Sequence, residues 1–344
     1  MTGFTRRQFM GTAGLVAAAP SLMAAAQGLD TGPGRAQASR KTTRARDLTD
    51  AELEAMFHRC SNKGRWGPDD ELGTLNLITP EKRKEAAALV KTGEVVSVGR
   101  DLTTVQTLNN PAPVNHIMIF SPEGAPSISD WFGMAPHGMN YTHMDALCHF
   151  SWKDQMYNGR KRSETLTPGG AKWGSIYAQR DGIFTRGVLL DVAAARGVRW
   201  YKSDEYVTVE DFEAAEKRQN VRVGSGDAVF VRTGMQVMEA ELGPQYTYPR
   251  AGLHADCIEW FYKRDAAVYG GDCIEKLPYP SEDLTSPMHM IFLASMGLPI
   301  LDWPSLTELA KTCERLNRWE YLLSVASLRF PGATASPLNP LCLF

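Results

Sequence analysis

The chain has no surplus of either charge. Its 37 Lys and Arg stand against 39 Asp and Glu, a formal net charge of -2 over 344 residues, and no run of like charges interrupts it. Without a basic stripe to hold phosphate backbones, nucleic acid is not an expected partner. The six cysteines, Cys60, Cys148, Cys257, Cys273, Cys313 and Cys342, include no Cys-x-x-Cys pair and no short framework spacing. That argues against both a zinc knuckle and a disulfide scaffold. The apolar run from Gly11 to Ala26, broken by Pro20 and Ser21, is too short to span a bilayer permanently. There is no internal repeat and no central linker. What remains, 43% hydrophobic and 22% charged residues, is enough to bury a full core in an ordinary globular protein.

The N-terminus also lacks acid: none precedes Asp30. Thr5-Arg6-Arg7-Gln8-Phe9-Met10, the mild apolar segment and the ending Met23-Ala24-Ala25-Ala26 read as a twin-arginine export signal over residues 1–26. This route takes folded cargo, so a metal could be loaded before export, and the expected location is periplasmic, free of the membrane once the signal is cut. Residues 27–46, rich in Gly, Ala, Ser and Arg, read as a linker. A single folded domain is expected over 47–344.

Within it, Thr49 caps a helix running to about Arg59, and Thr79-Pro80-Glu81 opens one running to about Lys91. Between them lies a loop, Arg65 to Asn76, punctuated by Gly, Pro and Asp. Glu94–Val98 reads as a short strand. The continuous apolar runs Gly187–Val192 and Ala228–Thr233 read as strands buried on both faces. Further helices are expected at Thr208–Ala215, Ala255–Lys263 and Ser305–Arg315. Strands alternating with helices make one α/β domain.

Only seven histidines occur, so their placement matters. In Tyr141-Thr142-His143-Met144-Asp145-Ala146-Leu147-Cys148-His149, His143 and Asp145 stand two apart. In extended chain both side chains leave the same face and could grip one cation. The bland alternative is a buried hydrogen-bonded pair holding a turn. His149 lies too far along a strand to share that grip unless the chain turns after Asp145, and it reads as an acid/base group. Cys148 reads as a small buried side chain, with a thiolate nucleophile as the alternative. His289, after Ser286-Pro287-Met288, and Asp302 supply a second polar set. His58 falls on the first helix as a surface residue; His116 and His254 have no legible partner. Trp131-Phe132 and Trp152 are candidates for walling an aromatic pocket, against ordinary core packing.

Thr142-His143-Met144-Asp145-Ala146-Leu147-Cys148-His149 resembles the signature of the cyclase-like metal-dependent hydrolases, which include bacterial kynurenine formamidase and isatin hydrolase. The loop Arg65–Asn76 resembles their longer-chain members. Tyr157-Asn158-Gly159, Gly224-Ser225-Gly226-Asp227 and Ser336-Pro337-Leu338-Asn339-Pro340 add weaker support. The resemblance implies a swivelling β/β/α fold, a divalent metal site and hydrolysis of an amide or ester-like bond, often in a cyclic or aryl-substituted substrate. It also implies a homo-oligomer, dimer or tetramer. His143, Asp145 and His289 match ligands, His149 matches the acid/base histidine, and Asp302 falls near a ligating glutamate. Met139 stands where the family carries a further ligand histidine; His137, two residues earlier, would substitute only if its loop is rearranged.

A divalent cation held by His143, Asp145 and His289 would acidify a bound water and polarise a scissile carbonyl, with His149 moving the proton. Nitrogen and oxygen ligands suit zinc or manganese. The expected activity is hydrolysis of an amide, cyclic amide or lactone bond in a small molecule. Metal-dependent lyase or cyclase chemistry and non-catalytic periplasmic binding remain the alternatives.

Overall fold

The computed structural model describes residues 46–121, 123, 126–244, 250–281 and 283–344. The expected export signal, and all but the last residue of the expected linker, lie outside them. Residues 44–344 form one compact unit. No helix among the described residues is long and apolar enough to cross a membrane.

Its centre is a nine-stranded mixed sheet. In spatial order the strands are Val95–Ser97, Leu341–Leu343, Glu320–Val325, Ile183–Leu190, Ala228–Val231, Val268–Gly271, Ile300–Asp302, His143–Asp145 and Ala335–Pro337. The four from Ile183–Leu190 to Ile300–Asp302 run parallel, and the pairs outside them are antiparallel. Parallel strands must be covered on both faces, and they are. Val188, Leu190, Val229, Val231, Tyr269 and Ile300 pack on one face with Leu53, Phe57, Phe212, Phe261 and Phe292 from helices. The intervening Leu189, Ala228, Phe230, Val268 and Leu301 pack on the other with Leu309 and Cys313. Two strands end sooner than their apolar runs. After Leu190, the Asp191 side chain accepts from Ala194 N and caps the helix Val192–Arg196, while Arg232 bonds back to Asp191.

The Thr49 cap is a full capping box with Glu52 on the helix Asp50–Arg59. The helix opened by Thr79-Pro80 stops at Ala87, short of the expected Lys91. The helices expected from Thr208, Ala255 and Ser305 form as Val209–Gln219, Cys257–Arg264 and Thr307–Leu316.

Two motifs that the sequence offers separately hold each other. Asn158 accepts from Gly64 N and donates to the Gly67 and Pro68 carbonyls, and Tyr157 donates its hydroxyl to Asp70 at 2.9 Å. Gly73 sits at φ +58, where a Cβ would stand 1.9 Å from the Gly297 carbonyl oxygen. Only glycine lets the loop approach so closely.

Candidate metal centre

The site grows from a three-residue strand. Met144 is buried among the apolar side chains of one sheet face, so the two-residue period turns His143 and Asp145 together to the opposite face. Asp302 lies directly across from His143 in the antiparallel register. His143 Nε2 is 3.5 Å from Asp145 Oδ1 and 3.6 Å from Asp302 Oδ2. After Asp145 the chain turns, with His149 N donating to the Ala146 carbonyl at 2.9 Å. This is the turn that His149 needs, and it brings Nε2 to 3.9 Å from Asp145 Oδ2.

His289 arrives from the helix Pro287–Ile291, its Nε2 3.5 Å from Asp302 Oδ2 and 3.8 Å from Asp145 Oδ2. His137 completes the group. Its Nδ1 stands 3.0 Å from Asp145 Oδ1, and its ring is stacked on His149 at 3.5 Å. All six predicted side chains therefore meet. Two sets lie within mutual reach of one cation, His137-Asp145-His149 and His143-Asp145-Asp302, with Asp145 common to both.

The outer nitrogens separate the imidazoles. His143 Nδ1 lies 2.9 Å from the Tyr141 carbonyl, which can only accept, so Nδ1 carries the hydrogen and Nε2 faces the carboxylates. His289 Nδ1 meets Glu275 Oε1 at 2.7 Å, and His137 Nε2 meets Thr334 Oγ1 at 2.9 Å. Metal-ligating histidines are almost always held from behind in this way. The His149 ring has no such hydrogen bond among the described residues.

Asp145 is completely buried, and neither of its oxygens has a hydrogen-bond partner of good geometry; nor do Asp302 Oδ1 and His137 Nδ1. His137 Nδ1 is close to Asp145 but poorly aligned, as two ligands of a common ion would be. Buried carboxylate oxygens are rarely left unpartnered, so these residues fit a divalent cation. Burial opposes charge on Asp145, yet His149, His137, His143 and His289 outweigh it and hold the carboxyl well below its usual range. Asp302 goes the other way, raised by burial and by Asp145 against the pull of His289 and His143. Burial, reinforced by His137, His289 and His143 against the pull of Asp145, pushes His149 down to about 3. It is neutral near pH 7, with a lone pair to accept a proton.

Glu275 is the residue that sequence reasoning missed. Besides holding His289 Nδ1, its Oε2 accepts from the backbone N–H of Met288 and His289 at 3.1 and 3.2 Å, fixing ring and helix start together. A carboxylate thirteen residues before Met288 carries no local signal of that role. Burial pushes the Cys148 thiol up to about 12, which agrees with a packing role rather than a nucleophile. Trp152 is buried against Phe57, whereas Trp131 and Phe132, the other two candidates for walling a pocket, are more than half exposed on the strand Ile128–Gly133. His58 is exposed, His116 pairs with Asp130 on that strand, and His254 is buried against the Arg46 carbonyl and Asp256.

Residues 100–275, just over half the chain, match the family described as "Putative cyclase". The chain belongs to that family. The chain is similar to the crystal structure of a novel cyclase, 27% identical, with a TM-score of 0.73 over 83% of this chain and 99% of that one. An isatin hydrolase bound to the product analogue thioisatinate is 18% identical, with a TM-score of 0.52 over 76% of this chain and 95% of that one. Isatin hydrolase A from Labrenzia aggregata is 17% identical, with a TM-score of 0.51 over 74% and 94%. These two show the shared cyclase-like fold alone. No curated protein gives a significant match.

Proposed function

We propose that this cyclase-family protein is a metal-dependent hydrolase that opens an amide, cyclic amide or lactone bond in a small, cyclic or aromatic substrate. The observation that carries the reading is the set of buried, unpartnered oxygens of Asp145 and Asp302, ringed by imidazoles of which all but His149 are fixed from behind. His143, Asp145, His289 and Asp302 would hold the cation, with His137 in place of the ligand missing at Met139. A divalent cation there supplies Lewis acidity to a carbonyl and lowers the pKa of water.

The chain's own part is proton transfer and orientation. His149, neutral and about a quarter exposed, takes a proton from the attacking water at a ring nitrogen and returns it to the leaving group. Asp145 holds the resulting imidazolium by its charge. Glu275 keeps the Nε2 of His289 aimed inward. Zinc and manganese both suit the mixed donor set.

Elemental analysis of the purified protein, beside His143→Ala and His289→Ala, tests the reading first. Near-stoichiometric zinc or manganese in the wild type and loss in both variants is the expected result. N-formyl, cyclic amide and lactone substrates are then screened with His149→Ala as control, which should keep the metal and lose turnover. A wild type that stays metal-free after reloading overturns the mechanism.

A further inference from the structure

Trp303, the residue after Asp302, holds a backbone conformation that its own chemistry disfavours. Its φ is +55, in the left-handed region that bulky side chains avoid. It also precedes Pro304, and a proline drives the residue before it towards extended chain. Such conformations persist only where the surroundings over-determine them, and they gather at functional sites. Here the surroundings are specific. The antiparallel register pairs Leu301 with Met144 and Asp302 with His143, so the next step would set Trp303 against Thr142. At that step the Thr142 hydroxyl donates to the Trp303 carbonyl at 2.8 Å and accepts from Arg100 N at 2.9 Å. Trp303 is buried, and two guanidiniums lie over its ring, Arg250 at 4.7 Å from the centroid and Arg100 at 5.9 Å. Both reach Glu239 on the helix Met235–Leu242, Arg100 Nη1 at 3.3 Å and Arg250 Nη2 at 3.8 Å. Arg100 Nε and Nη2 are buried and have no hydrogen-bond partner among the described residues. A guanidinium so poorly satisfied is costly to bury, and its attraction to the indole face helps to offset that cost.

We propose that Trp303 is a positioning residue of the metal centre: gripped by Arg100, Arg250 and Thr142, it turns the chain left-handed directly after Asp302 and so fixes where the Asp302 carboxylate stands against His143. The strand Ile300–Asp302 is only three residues long and has little length of its own to hold its last residue in register. The grip on Trp303 supplies that hold from the far side, and a ligand has to be kept within about 0.5 Å of its working place. The inference rests on the reading of Asp302 as a ligand and adds to it a residue that touches neither cation nor substrate.

Zinc affinity, measured by competition with a fluorescent chelator, tests it in a double-mutant cycle. Trp303→Leu, which keeps an apolar side chain without an aromatic face, and Arg100→Met, which removes one guanidinium from the ring, are each made in the wild type and in Asp302→Asn. Circular dichroism checks the fold of each. Zinc binding is expected to weaken at least tenfold in Trp303→Leu and about threefold in Arg100→Met, and each effect should shrink below twofold once Asp302 is Asn. A role in the fold alone would give the same loss in both backgrounds, and that result overturns the proposal. Folded Trp303→Leu with wild-type affinity overturns it too; if Trp303→Leu does not fold, unchanged affinity in Arg100→Met does so. These results leave the proposed function standing as long as Asp302→Asn itself weakens zinc. Unchanged zinc affinity in Asp302→Asn would instead remove Asp302 from the ligand set, and a wild type without zinc affinity would overturn the proposed function; the role of Trp303 falls with either.

Discussion

Glu275→Gln removes one charge and moves almost no volume, which makes it the sharpest probe of how the metal centre is held. The carboxylate accepts three hydrogen bonds, from His289 Nδ1 at 2.7 Å and from the backbone N–H of Met288 and His289. The amide oxygen of Gln can still cap the helix start, leaving its NH₂ against His289 Nδ1. That group donates only, so the imidazole must place its hydrogen on Nε2, the nitrogen facing Asp302 and Asp145. The bond lost is charge-assisted, worth about 1.5–3 kcal/mol. At about 1.4 kcal/mol per factor of ten, metal affinity should fall roughly 10–100-fold, the range seen when such outer partners of ligands are removed. Competition with a fluorescent chelator measures the affinity, and urea unfolding of the metal-free protein measures the fold. The expected outcome is a loss of affinity with metal-free stability within about 1 kcal/mol of wild type. Unchanged affinity would refute the reasoning. So would a loss matched by an equal drop in metal-free stability, since Glu275 would then serve the helix and not the ring.

Gly252→Ala should reach the same centre from a distance, because its Cβ would stand 2.1 Å from the Glu275 carbonyl carbon. Chelator competition is expected to show weaker metal binding, and wild-type affinity would count against the link. All six thiols are buried, with Cys60 pushed up to about 11 and Cys148 to about 12 by burial. A disulfide-exchange reagent at pH 8 should therefore find none in the native protein and six in guanidinium; one fast native thiol would refute this. Arg186→Met strips Nε and Nη2 from the fully buried Asp227, at 3.0 and 2.6 Å, and among the described residues leaves Lys82 as the cation on it. A loss of about 3 kcal/mol is expected in urea unfolding, and less than 1 kcal/mol would mean that Lys82 suffices.

The sheet was legible wherever burial is two-sided, since Val188–Leu190 and Ala228–Val231 write that burial as unbroken apolar runs. The His143-Asp145 pair was legible because a period of two is a local property of extended chain. The approach of His149 depended on a turn held partly by distant segments, with Ala146 N on the Thr334 carbonyl and Cys148 N on that of Gly174, so sequence could state the condition but not its fulfilment. His137 and Glu275 depend on contacts between distant segments, His137 with Thr334 and Glu275 with His289. Spacing carries no trace of these. Trp131 and Phe132 show the opposite failure, where hydrophobicity suggested an interior and the strand Ile128–Gly133 leaves both more than half exposed.

Both carboxylates of the metal centre stand on hydrogen-bonded strands of the large sheet, whereas three of the four imidazoles ride on a loop, a turn and a short helix. Hard oxygen donors are thus tied to the frame, and borderline nitrogen donors to its most replaceable parts. A lineage could exchange or reposition His137, His149 or His289 and shift its preference between manganese-like and zinc-like ions without reopening the core. On this architecture the choice of metal can evolve faster than the fold that holds it.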